Sequence, residues 1–394
     1  MTLQMMHARL LRLPPLLMVV LATLGFRFAL TVPQWIGAHS FVLETGVPPN
    51  IPLDFVSFPG LWARWDSGNY LAMVIQGYTD PMQRVFMPLY PILMWVGALG
   101  HFEWILWSGL LISWGAFFGA VALLWNQVKQ DHGEAVANIM IILLNVFPLS
   151  FFFSALYSES LFYLFFAIAY VCARREKWFW CAVCVALASI TRINGILIGV
   201  IPVIEILQRN RGRWFSPQVL SKLVLIGVVS VSGLLLVMVY FYSAFGNPIE
   251  FLTQQTLHYH RAVDLPWVAW IKTLRIVLTG YGGLETNKFL RFTSAFDLAF
   301  ITFFGILVVV SFKRMNLSLA AYGAAILLMM LCQYGPAPLG FWSGARYTLP
   351  IFSGFVVVAQ WLAARPKLQP WVYAVLLIAQ VPLILWFASG RWVS

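Results

Sequence analysis

The sequence predicts an all-α polytopic membrane protein, and three observations lead there. First, 61% of the 394 residues are hydrophobic and only 10% are charged, against about 25% charged in a soluble domain. Second, apolar runs succeed one another along nearly the whole chain, and mean hydropathy is +0.82. Third, the basic residues behind the formal net charge of +11 fall in short clusters between those runs, as topology signals do. That placement argues against a nucleic-acid surface. The 28 Gly and 21 Pro are tolerated in a bundle whose neighbouring helices re-satisfy the backbone. The 18 Trp and 14 Tyr suit interfacial belts.

Apolar runs fall near 13–33, 88–100, 104–127, 135–152, 157–173, 178–191, 194–208, 222–244, 293–311, 316–333, 346–362 and 370–389. His7, Arg9 and Arg12 precede the first run, which lacks an evident small-residue cleavage site. It therefore reads as a retained helix with a cytoplasmic start rather than a signal peptide. Because a spanning helix needs about 20 residues, the short run 88–100, opened by Pro88 and Pro91, is placed on the outer surface. About eleven crossings then remain, several of them shorter than that length, and charge placement arbitrates in favour of this count. Lys129, the Arg174, Arg175 and Lys177 cluster, the Arg209 to Lys222 cluster, Lys313 with Arg314, and Arg365 with Lys367 then share the inner side with Arg9 and Arg12. Counting 88–100 as a crossing would move Lys129 and the Arg174 cluster outside.

The same placement makes 178–191 and 194–208 a tight hairpin turning at Thr191-Arg192-Ile193-Asn194-Gly195. Its limbs are short for a bilayer and require local thinning or shielding by other helices. The alternative is one tilted helix with a buried arginine, which is costly unless paired. The chain reads as one transmembrane domain, 1–394. A first outer loop spans 34–103 with interfacial helices, and a second long outer segment spans 245–292. The Pro148 to Glu159 turn and the 334–346 loop also face outward. An active site or binding cavity is expected on that face. No internal repeat of the kind that builds many secondary transporters is visible. Cys172, Cys181, Cys184 and Cys332 lie in or beside apolar stretches and read as packing residues, since no His or Cys pair completes a zinc site with Cys181 and Cys184.

The outer segments collect the polar residues. In 61–78, Trp62, Trp65, Asn69 and Tyr70 recur at helical spacing, consistent with an interfacial helix, and set Asp66 beside an aromatic stripe. Arg64 and Asp66 either solvate this loop or act in a site. Phe86, Pro88 and Pro91 make a rigid apolar shelf. Glu159, after Tyr157, is expensive in lipid unless it faces water, a partner or a cavity, or caps the helix that follows. Arg192, with Asn194, emerges on the outer side, where its partner is either Glu159 or a phosphate. His258 and His260 are poorly spaced to share a helix face, and no metal site is assigned to them. Arg346, followed by Tyr347, ends an outer helix and is a second candidate for phosphate.

Four strings resemble the motif series of the mannosyltransferase family that adds the second mannose in GPI-anchor assembly, with its prokaryotic relatives. They are Trp62-Ala63-Arg64-Trp65-Asp66-Ser67-Gly68-Asn69-Tyr70, Phe86-Met87-Pro88-Leu89-Tyr90-Pro91, Ala155-Leu156-Tyr157-Ser158-Glu159-Ser160-Leu161-Phe162, and Thr191-Arg192-Ile193-Asn194-Gly195. The resemblance covers 55–200 and reaches weakly to Arg346, Tyr347 and Pro350. It implies a GT-C glycosyltransferase bundle that transfers a hexose, mannose by analogy, with inversion, from a polyprenyl (dolichyl-type) phosphate donor. The acceptor is lipid-linked, a glycan or a protein.

In that reading Asp66 is the base and Glu159 orients the acceptor or supports the base. Arg64, Arg192, Asn194, Arg346, Tyr157, His258 and His260 bind donor phosphate or acceptor. Trp62, Trp65, Tyr70, Phe86, Pro88, Pro91 and Tyr347 wall the cavity. No cofactor is assigned. Some GT-C enzymes use a divalent cation and others do not, and no acidic pair here decides between them. The implied location is the cytoplasmic membrane of a prokaryote with an outward site, or the ER with a lumenal site in a eukaryote. The rival from another class is a polytopic transporter or flippase for a lipid-linked or anionic substrate, which opens to both sides and consumes no donor.

Overall fold

The structure is a computed structural model that describes residues 14–40, 54–280, 288–335 and 340–393. The basic start at His7, Arg9 and Arg12, and parts of the expected outer segments 34–103, 245–292 and 334–346, lie outside the described residues. In chain order the helices are α1 Pro15–Ser40, α2 Asp66–Gln76, α3 Leu89–Gly97, α4 Ile105–His132, α5 Glu134–Val146, α6 Glu159–Arg174, α7 Trp178–Thr191, α8 Val200–Arg209, α9 Pro217–Phe245, α10 Glu250–Leu257, α11 Pro266–Thr279, α12 Lys288–Arg314, α13 Leu317–Cys332, α14 Phe352–Ala363 and α15 Gln369–Ala388. Among the described residues, the only departure from an all-α fold is a two-residue ribbon. In it β1, Ala262–Val263, pairs antiparallel with β2, Gln333–Tyr334.

Within the described residues, 5 helical segments, at α1, α4, α9, α12 and α15, are long and apolar enough to cross a membrane. Their outward faces are apolar: Val224, Val228, Leu236 and Val239 of α9, Ile306 and Val309 of α12, and Val375 and Ile378 of α15 are all more than half exposed. Such a girdle is unstable in water, and in lipid it is the solvent-matched surface. The protein is an integral membrane protein.

The ends of the bundle differ. At one end α4, α6, α8 and α13 are joined by ions: Arg174 bonds Asp131 at 3.2 Å and Glu205 at 3.3 Å, and Ser318 Oγ donates to Glu205 at 2.8 Å. Arg209, at the end of α8, returns to this point and donates to the Arg174 carbonyl at 3.1 Å. Segments α7 and α8 are thus the limbs of a hairpin reversing at Arg192, its return begun by a 3-10 stretch, Ile193–Gly199. Gly195 makes the reversal possible, because a Cβ there would stand 2.1 Å from the Ala188 carbonyl carbon. Helix α7 is short, but α6 and α9 cover it. Gly233 of α9 lets the helices touch, a Cβ at that position falling 2.4 Å from the Ala186 oxygen, a close approach typical of small residues in membrane bundles.

Helix α3 spans only ~13 Å at 1.5 Å per residue, too little for a ~30 Å hydrocarbon core. It lies against the first half of α4, held by Tyr90 Oη, 3.0 Å from the Gly109 oxygen and 2.8 Å from Ser113 Oγ.

The Pro148 to Glu159 stretch is buried: residues 147–158 are covered, with a 3-10 turn at Ser150–Phe153. Side chains of distant helices satisfy its backbone. Arg27 Nη1 donates to the Ser150 oxygen at 2.8 Å, Gln380 Nε2 to the Phe147 oxygen at 3.0 Å, and Trp114 Nε1 to the Ser154 oxygen at 3.3 Å. Unwound chain at membrane depth is stable only with such partners. Its consequence is that Glu159 starts α6 inside the protein.

Candidate active site

At the end of the bundle opposite the Arg174 network, two helices begin with a carboxylate. Trp65, the residue before α2, has φ 52° and ψ −112°, so the chain turns sharply and Asp66 opens the helix. Glu159 opens α6. Each acid therefore sits where the helix dipole favours negative charge. Arg192, the residue after α7, lies where that dipole favours a cation. Arg346 starts a 3-10 turn, Arg346–Thr348, in the loop between α13 and α14, and its guanidinium carbon is 4.7 Å and 4.5 Å from the Phe152 and Tyr157 ring centroids.

These four charges meet. Arg346 Nη1 lies 2.7 Å from Asp66 Oδ2, Arg346 Nε donates to Glu159 Oε1 at 2.6 Å, and Arg346 Nη2 contacts the same oxygen. Arg192 Nη1 is 2.8 Å from Glu159 Oε1 and 3.2 Å from Ser158 Oγ, which is in turn 2.8 Å from Tyr70 Oη. Glu159 Oε2 and Asn194 Oδ1 are buried with no hydrogen-bond partner among the described residues.

A fifth charge joins from the second long segment. Arg261 Nη2 donates to Tyr347 Oη at 3.1 Å, and Arg192 and Arg261 both stand over the Tyr347 ring, 5.7 Å and 5.3 Å from its centroid. Burial draws the Tyr347 phenol upward, but Arg261, Arg192 and Arg346 outweigh it and hold the group below its ordinary value. That is the local signature of excess positive charge. The groups enclose a cavity of about 120 Å³, to which Asp66, Tyr70, Phe86, Asn194 and Tyr347 also contribute. The bases on its walls outnumber the acids, a potential suited to an anion.

The remaining expected residues divide. Tyr157 stands behind Arg346, and its hydroxyl accepts from the Asp66 amide at 3.3 Å. Trp62 is fully buried beneath the loop, and Trp65 packs edge-on to Trp392 at 5.3 Å. Pro88 and Pro91 brace α3 rather than line the cavity. Arg64 lies elsewhere: its guanidinium donates to the carbonyls of Ala388 at 3.0 Å, Gly60 at 2.9 Å and Ala63 at 2.9 Å. It fastens the first loop to the end of α15 and has no opening to the cavity. His258 and His260 are exposed, while their neighbours Tyr259 and Arg261 line the cavity. The chain leaves α10 through His258, still helical in backbone, and turns at His260, whose φ is 48°, and the basic residue ends inward with the imidazoles outward.

Sequence reading also passed over Ser158, Gln255, Gln333, Trp342 and Trp392, all on the cavity wall. Arg261 carried a usable signal, as an arginine on an outer segment against the positive-inside tendency. Among the described residues, no group of three or more His, Cys, Asp or Glu side chains is arranged to hold a metal ion.

Comparison with solved structures adds the fold. ArnT from Cupriavidus metallidurans, in its crystal structure bound to undecaprenyl phosphate, superposes with a TM-score of 0.51 and 15% identity, over 90% of this chain and 62% of that one. The two share a fold. The present chain thus spans about three-fifths of the length of that protein. The oligosaccharyltransferase of Archaeoglobus fulgidus, tethered to an acceptor peptide, superposes with a TM-score of 0.46 at 10% identity, over 94% of this chain and 55% of that one, a likeness too loose to argue from. No family model and no curated protein matches the sequence. The expectation of an all-α polytopic bundle is therefore met, with a fold shared with ArnT, and the resemblance to the GPI mannosyltransferase family is not reached by these comparisons.

Proposed function

We propose that the cavity transfers a hexose, with mannose as the first candidate, from a polyprenyl-phosphate donor to a hydroxyl of a lipid-linked, glycan or protein acceptor. The observation that carries this reading is a partly exposed carboxylate, Asp66, facing three guanidinium groups across one cavity. Asp66 accepts the proton of the acceptor hydroxyl as its oxygen attacks the anomeric carbon. The bond from that carbon to the phosphate oxygen breaks on the opposite side, inverting the configuration, and its electron pair leaves with the phosphate. Arg261, which has no carboxylate partner among the described residues, anchors that phosphate, and Arg346 and Arg192 stabilise the charge it gains. The bound lipid of the similarly folded ArnT, a polyprenyl phosphate, is in keeping with this donor class.

We place the reaction at the outer membrane face. Eleven crossings, α1, α4 to α9 and α12 to α15, alternate between the Arg174 end and the cavity end, and basic connectors at the former mark the cytoplasm. Incubating the full chain in nanodiscs with labelled polyprenyl-phosphate mannose and candidate lipid extracts, followed by mass analysis, tests the reading. The expected result is a mannosylated product that Asp66→Asn reduces by about 10²- to 10⁴-fold. Near wild-type transfer by Asp66→Asn would remove the base from Asp66, and movement of donor across the bilayer without its consumption would favour a flippase.

A further inference from the structure

The two acids of the charge cluster are held unequally, and of the two Asp66 lines the cavity. Glu159 receives both Arg346 and Arg192 on Oε1, and its side chain is 8% exposed. Asp66 is 20% exposed, and its carboxylate is bound through Arg346 Nη1 at 2.7 Å. Arg346 is fixed from the other directions by Glu159 and by the rings of Phe152 and Tyr157. If this cluster opens, it opens at Asp66. An anion entering the cavity arrives where Asp66 now bonds, with Arg192 and Arg261 on the flank at Tyr347, and it repels the carboxylate as it competes for the same N–H.

We propose that Asp66 is an internal competitor for the donor phosphate: the phosphate takes Arg346 Nη1, expels Asp66, and so frees Oδ2 to receive the acceptor proton. This rests on the function proposed above and adds an order to it. The base stays committed to a cation until the donor is seated. Binding of the donor and release of Oδ2 are then one event, and an acceptor that enters first finds the carboxylate still tied to Arg346. The exchange is between ion pairs and makes or breaks no covalent bond.

Equilibrium binding of undecaprenyl phosphate to the full chain in nanodiscs, free of acceptor, tests the exchange. Asp66→Asn is expected to bind about tenfold more tightly than wild type, equivalent to ~1.4 kcal/mol, because the phosphate no longer displaces a charged rival. Glu159→Gln is expected to bind more weakly, because Arg346 and Arg192 lose the acid that positions them. Undecaprenol, which lacks the phosphate, should not distinguish wild type from Asp66→Asn. Wild type that binds the phosphate while Asp66→Asn binds it equally or less tightly would overturn the exchange and leave the phosphate site standing. No binding by wild type would overturn both. Should Asp66→Asn fail to fold, Asp66→Ser carries the same expectation, and failure of both to fold would give the pair a structural role and sink the proposal.

Discussion

At Trp65 the backbone enters the left-handed region, φ 52°, a conformation that costs of order 1–3 kcal/mol for a residue other than glycine. The turn allows Asp66 to begin α2 and still reach Arg346, 280 positions away. Arg261 reaches the same cavity from β1. In the proposed reaction these residues have separable tasks, one on the acceptor and one on the phosphate. Arg261→Gln is expected to raise the donor KM by roughly ten- to a hundredfold, the worth of a hydrogen bond to a charged group, with a smaller effect on kcat. The exposed imidazoles provide the contrast: His258→Ala and His260→Ala should leave both constants within about twofold, in keeping with substitutions at surface positions. Steady-state kinetics with varied donor checks the split. Equal losses in all three variants would mean that the segment acts as a unit, not through Arg261.

Among the elements, the α7–α8 hairpin is the most constrained. It carries Arg192 at its tip, and Gly195 packs on the backbone of Ala188 with no room for a methyl group. Gly195→Ala should destabilise the protein by about 1–3 kcal/mol, the usual cost of overpacking, and shift Arg192 from Glu159, so that activity falls more steeply than the melting temperature alone explains. Thermal unfolding in detergent, run beside the transfer assay, measures both. The first outer loop is fixed differently. Arg84 bonds Glu250 at 2.8 Å and stacks on Phe245 at 4.0 Å, which clips the 3-10 turn Pro81–Val85 to α10 beside the cavity.

For the whole molecule the distribution of charge carries the proposed orientation. The Arg174, Asp131, Glu205 and Arg209 network occupies one end, and Asp66, Glu159, Arg192 and Arg346 the other. In a variant lacking the native cysteines, Asp80→Cys should react with a membrane-impermeant thiol reagent in intact cells. Ala135→Cys, at the start of α5, should react only after the membrane is opened. Labelling of Ala135→Cys in intact cells would reverse the orientation, and labelling of both without permeabilisation would break the alternation of crossings.

How much of this was written in the sequence follows from the range of the forces involved. Lipid solvation acts on each segment by itself, so hydropathy marked the helices, and the spacing of basic residues suggested which connections share a side. The charges Asp66, Glu159, Arg192 and Arg346 could be singled out for the same reason, since an ionisable group between apolar runs needs a local explanation. Which of them pair, and which neighbour turns inward, depends on contacts between segments far apart in the chain. Arg64 reads in sequence like a ligand-binding arginine, yet the Ala388 carbonyl of α15 and carbonyls of its own loop capture it. The buried stretch before Glu159 reads in sequence only as a turn, and its donors come from Arg27 and Gln380, on α1 and α15. Arg261 lines the cavity, and His258 and His260 are exposed, in a turn between α10 and the ribbon that β1 forms with β2. The sequence by itself determined the compartment, the helices and the charged candidates, because burial in lipid is decided segment by segment. The tertiary structure decided the membership and the geometry of the site, because a hydrogen bond or ion pair exists only where two parts of the chain meet.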